Sequence, residues 1–160
     1  LVIVEAQRSG LSAELGADGV LIGIARAAQK PVREIETIDE QFDVLAAGSA
    51  KEQAADLMEL IGSLQSGEEL SELTTLAQAW LAADRAGLEA ALDRLRSDPR
   101  ASAQRSVDQV IIGRNRRMAE RIDAMLQREP TLAAVGALHL VGDQSVLVEL
   151  TKRGWTIKPR

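Results

Sequence analysis

The chain has no cysteine and no tyrosine, a single histidine, one phenylalanine and two tryptophans. The absence of thiols excludes a disulfide framework, thiolate zinc and cysteine catalysis, and it leaves the redox compartment open. With aromatics at 2% of 160 residues, the core has to be built from Leu, Ile, Val and Ala. No apolar run approaches the roughly 18 residues that a bilayer span requires. Positive charge is also scarce: 19 Lys and Arg against 24 Asp and Glu give a formal charge of −5. That balance lacks the concentrated positive field of a nucleic-acid binder. What is present is 46% hydrophobic residues, in a length that can bury roughly 70% of its unfolded surface as one domain. The opening Leu1-Val-Ile-Val-Glu5 has no initiator Met and an apolar run already under way. It reads as a fragment of a longer protein, and localisation is not legible from this end.

Helical periodicity dominates. Val20, Leu21, Ile24, Ala25 and Ala28 share a helical face that closes at Lys30-Pro31. Thr37-Ile-Asp-Glu40 and Ser49-Ala-Lys-Glu52 are capping boxes, each predicted to start a helix at once. Two further helices are expected, one holding Leu70, Leu73, Ala77, Trp80 and Leu81, the other Leu88, Ala91, Leu92 and Leu95 before Asp98-Pro99. A long helix follows from about Ala103 to Glu129, stopped by Pro130. Asp143 to Arg153 reads as a last helix, with Gly154 as its C′ residue. Three short apolar runs, Val32 to Ile35, Leu132 to Val135 and Thr156 to Lys158, read as strands. The predicted fold class is therefore α/β, helix-rich with a small, mainly parallel β-sheet.

Three residues have chemistry beyond what packing asks for. Glu36 follows the first predicted strand directly, at the carboxyl end where ligands bind in open α/β sheets. A solvated loop acid or a second capping carboxylate is the plainer reading. His139 follows the second predicted strand in Gly136-Ala-Leu-His139. It could ligate a metal or exchange a proton near neutral pH, or be a structural histidine of the interior. Unaided, it cannot form a metal site; carboxylates such as Glu36 would have to join it. Arg114 carries the strongest pattern. At about 100° per residue, it falls with Val107, Ile111, Met118, Ile122 and Met125 inside an arc of about 80°. An arginine on that inward face is costly unless its guanidinium meets a carboxylate or another anion. Glu36 is the favoured partner. Asn115 lies at the edge of the stripe, and Arg116 points the opposite way. Arg114 could be a structural ion pair, a snorkelling stem, or a clamp on a substrate carboxylate or catalytic acid.

Glu36-Thr-Ile-Asp-Glu-Gln41 after a Lys-Pro-Val run, Gly113-Arg-Asn-Arg-Arg-Met118 in a long helix, and Gly136-Ala-Leu-His-Leu-Val-Gly142 followed by Leu150-Thr-Lys-Arg-Gly-Trp155 together resemble the TraB/GumN family, whose superfamily includes the Tiki proteins. The resemblance runs from about Gly16 to the C-terminus in the family's order. It implies a divalent-metal-dependent hydrolase scaffold, peptidase-like in Tiki-type members. Glu36 falls on the family's Leu-Glu-Thr acid, Arg114 and Asn115 on its Arg-Asn pair, and His139 on the second of its two G-x-x-H motifs. Catalytic roles for Glu36, Arg114 and Asn115 and metal ligation by His139 and Glu36 are what that resemblance implies. The first G-x-x-H is absent, so the chain is similar to the C-terminal part only and its divalent-metal site is expected to be incomplete. An exported, periplasmic or secreted location is implied on the same basis alone. Two functions follow: a metal-dependent hydrolase acting on a peptide or small-molecule substrate, or a binding module that captures such a ligand without turnover.

Overall fold

Both capping boxes form. Thr37 Oγ1 accepts the Glu40 amide while the Glu40 carboxylate accepts the Thr37 amide at 2.8 Å, and Ser49 and Glu52 repeat the exchange at 2.7 Å. Each satisfies backbone donors that a helix start leaves unpaired. The computed structural model describes residues 6–7, 10–12 and 15–158, and 69% of them are helical. Helix α1 spans Ala17–Ala27, α2 Ile38–Leu45, α3 Ala50–Ser66, α4 Glu68–Leu81 and α5 Arg85–Ser97. Then α6, Ala101–Arg105, runs through a π-helical segment, Ser106–Ile112, into α7, Gly113–Leu126. A 3₁₀ turn, Ala137–Leu140, precedes α8, Val146–Lys152. Gly154 closes α8 at φ +95°, a left-handed conformation that costs glycine little.

The predicted sheet is not there. Among the described residues there is no strand, and Val32 to Ile35, Leu132 to Val135 and Thr156 to Lys158 are irregular segments. None of the three makes a backbone ladder bond among those residues. Val32 and Leu132 are 51% and 80% exposed, and the Ile35 carbonyl accepts from Arg121 Nη1 at 2.7 Å instead of from a neighbouring strand. A four-residue apolar run fixes neither strand nor partner. Here Ile35, Val135, Trp155 and Ile157 use their apolar side chains against a helix. The long helix is likewise not uniform, because seven of its residues are wound as a π-helix.

The helical run from Ala101 to Leu126 is the axis of the core. Around its π segment pack Leu88 and Leu92 of α5 and Val141 after the 3₁₀ turn, against Val107 and Ile111. Around α7 pack Val146 and Leu150 of α8, against Met118, Ala119 and Ile122. The predicted stripe is thus buried at Val107, Ile111, Met118 and Ile122. Between the two apolar clusters, at the first turn of α7, the inward side chains are polar.

Candidate functional site

Arg114 opens that polar layer. Its Nε donates to both Glu36 oxygens at 3.0 Å, Nη2 donates to Oε2 at 2.5 Å, and Nη1 reaches the Val110 carbonyl at 3.3 Å. The side chains are 14% and 3% exposed, respectively, so the pairing expected from the helical stripe is a buried, bidentate one. Arg116, two residues on, is 79% exposed at its side chain, as the same periodicity requires. The reading of Glu36 as a solvated loop acid is overturned, and the capping carboxylate is Glu40. The Glu36 backbone is held from below by α7 as well: Arg121 bonds the Ile35 carbonyl and grips Glu40 at 2.7 and 2.5 Å.

Asn115 supplies the second half. Its Nδ2 donates to the Gln144 carbonyl at 2.7 Å, and its Oδ1 lies 2.7 Å from His139 Nδ1. The Gln144 carbonyl only accepts, so it fixes the amide orientation; Oδ1 then only accepts, so Nδ1 must carry the ring proton. In the neutral imidazole Nε2 is therefore the nitrogen with the lone pair. The Gly136-x-x-His139 spacing has a local cause. The His139 amide closes the 3₁₀ turn on the Gly136 carbonyl at 2.9 Å, and a Cβ on Gly136 would stand 3.4 Å from the imidazole Cδ2. Gly142 ends the motif at φ +82°, where a Cβ would meet Leu92 Cδ2 at 3.0 Å. Ser145, fully buried, caps α8 by accepting the Val148 amide.

Burial pushes the His139 imidazole below its ordinary pKa, and the Arg114 charge adds to that; the Glu36 carboxylate and the Ile111 carbonyl push back. The balance keeps the ring neutral near pH 7, the form that accepts protons or ligates metals. Glu36, Arg114, Asn115 and His139 are thus brought together, through the first turn of α7 and not through a sheet edge. Sequence reasoning missed Gln144, Gly113 and the Arg121–Glu40 brace. A glycine inside a helical pattern and an arginine one heptad after Arg114 were the available signals. A cavity of about 310 Å³ lies against the 3₁₀ turn, lined by Trp80, Leu88, Ala137, Leu140, Val141 and Leu147 among others; none of the four polar residues lines it.

As they stand, Glu36 and His139 do not compose a metal centre. Both Glu36 oxygens are taken by Arg114, and among the described residues no three His, Asp or Glu side chains form a group able to hold an ion. A hydrolytic metal typically has three protein ligands.

The class of protein defined here is a helical scaffold that wraps a buried Arg–carboxylate clamp and an Asn-oriented histidine between two apolar clusters. The chain belongs to the TraB/PrgY/gumN family, whose model matches residues 1–159. No curated protein and no solved structure matches it. Among the described residues, no helix is long and apolar enough to cross a membrane.

Proposed function

We propose that the chain carries the proton-transfer part of a hydrolase of the TraB/GumN type, acting on an amide or ester bond of a peptide or small-molecule substrate. The observation that supports this reading is the Gln144–Asn115–His139 chain of hydrogen bonds, which orients the imidazole through Nδ1 and assigns the lone pair to Nε2. In this reading Nε2 takes the proton of an attacking water and later returns it to the leaving group, a role worth roughly 10²–10⁴-fold in rate. Asn115 keeps the ring aligned through both protonation states. Arg114 holds the Glu36 carboxylate in place; Glu36 favours the imidazolium as it forms, while burial and the Arg114 charge keep the resting ring neutral. The divalent ion of the family resemblance enters no step, because the donors described are too few. The second reading is a module on the same scaffold that binds its ligand without turnover.

Hydrolysis of a panel of chromogenic esters and fluorogenic peptides by the full chain decides between them. The hydrolase reading expects turnover that falls by roughly 10²-fold or more in His139→Gln, with substrate affinity retained. Binding without turnover, or turnover indifferent to His139→Gln, would sink it. Repeating the assay with added divalent ions and with a chelator shows whether a metal takes part.

A further inference from the structure

We propose that Gly113 is a positioning residue, and that the π-helical segment it terminates is what aims Asn115 at His139. The inference rests on the site described above but not on the reaction assigned to it.

Gly113 donates its amide to the Asp108 carbonyl, five residues back, in place of the four-residue bond of an α-helix. The same carbonyl lies 2.8 Å from where a Cβ on Gly113 would stand. That is closer than real Cβ contacts come, and the obstacle is backbone, which cannot swing aside. Gly113 is therefore the residue that lets this wide turn close. Its φ of −59° is ordinary, so glycine is needed here for space and not for a left-handed backbone.

The consequence falls on the next two residues. A π turn winds more slowly than an α turn, so residues four apart stay close to one line through it, whereas in an α-helix they drift by about 40°. Val107, Ile111 and Asn115 are spaced by four, and all three are buried, Asn115 to 1% exposure. In an uninterrupted α-helix Asn115 falls at the margin of the stripe, about 20° beyond Ile122. The π segment brings it onto the line of Ile111, where it meets both His139 and the Gln144 carbonyl. Arg114, beside it, pairs with Glu36, and its Nη1 bonds the Val110 carbonyl within the π segment. π segments inside α-helices recur at functional sites because the extra residue re-aims side chains without breaking the helix.

The test reads the histidine ring itself. His139 is the only histidine of the chain, so its two ring ¹⁵N resonances need no assignment against others. At alkaline pH, where the ring is neutral, the wild-type protein should show the pyrrole-type shift on Nδ1. In Gly113→Ala, and in Asn115→Ala as reference, the pyrrole-type shift should pass to Nε2, the tautomer that a histidine without an Nδ1 partner prefers. Leu126→Ala, an apolar truncation at the far end of α7 in the other cluster, should leave the wild-type pattern in place. A Gly113→Ala protein that is folded and keeps the proton on Nδ1 would overturn the proposal. If Gly113→Ala does not fold, the decision passes to the wild type and to the scalar coupling across the Gly113 amide hydrogen bond. Coupling to the Asp108 carbonyl supports the π register, and coupling to the Gln109 carbonyl refutes it. Neither measurement depends on substrate or metal, so failure of the hydrolase reading leaves this one standing and the reverse holds too.

Discussion

Two arginine–carboxylate pairs sit one heptad apart on the same helix and differ in almost everything except chemistry. Arg114 and Glu36 are buried, at 14% and 3% side-chain exposure; Arg121 and Glu40 are half-buried, at 39% and 28%. The outer pair is attached to structure that exists without it. Glu40 is the N3 residue of the α2 capping box, and the Thr37 amide adds to Arg121 in holding its carboxyl down to about 2. The inner pair belongs to no helix cap: Glu36 is in a loop, and its buried carboxylate is neutralised by Arg114. Burying two charges costs several kcal/mol per ion, and packing of similar volume would stabilise at least as well. The outer pair is therefore a brace for the chain entering α2. The inner one maintains a charged layer where hydrophobic packing would serve stability at least as well.

The comparison breaks first at Arg114. Arg114→Ala strands Glu36 in the interior, and the expected loss is about 3–5 kcal/mol in a denaturant titration. Replacing both partners by apolar residues, Arg114→Met with Glu36→Leu, should cost less than the single change, because no unpaired charge remains. A double variant as unstable as the single one would mean that the damage is lost arginine packing and not the stranded carboxylate.

Acidification separates the histidine from both pairs. The folded-state pKa of His139 lies below its ordinary value, chiefly through burial, so the unfolded chain binds the proton first as pH falls. Stability from this group is complete above the unfolded value of about 6.5 and is lost as pH drops from there toward the folded pKa. Unfolding free energy measured across that window should decline in the wild type and stay flatter in His139→Gln. Parallel curves would show that the ring is already solvated.

The helices were legible because their starts and stops are written in single residues: Thr37 with Glu40, Ser49 with Glu52, Pro99, Gly154. The Arg114 pairing was legible because a charge amid Ile111 and Met118 admits few solutions. The sheet was misread because Val32 to Ile35, Leu132 to Val135 and Thr156 to Lys158 are apolar runs of three or four residues, which fit a strand or an extended segment packed on a helix equally well. Glu36 and His139 each follow a predicted strand that is not there; the first turn of α7 unites them through Arg114 and Asn115. The π segment has no composition of its own. Only Gly113, a poor helix former inside a helical pattern, hinted at it.

The smallest effects belong to the outer pair, and they sharpen the comparison through their dependence on conditions. Arg121→Ala should destabilise less than Arg114→Ala but more than Arg116→Ala, whose exposed side chain should cost within about 0.5 kcal/mol. Exposed charges are screened by salt and buried ones much less. The Arg121→Ala loss should therefore shrink between low and high ionic strength, while the Arg114→Ala loss stays nearly constant. The outer pair should also fade in acid. Its carboxyl is held below the ordinary 4.5 at about 2, so its contribution is present above 4.5 and declines as pH falls through the folded value. Denaturant midpoints of the three variants at two salt concentrations would measure this. An Arg121→Ala loss as large and as salt-independent as that of Arg114→Ala would remove the distinction between the outer brace and the buried pair.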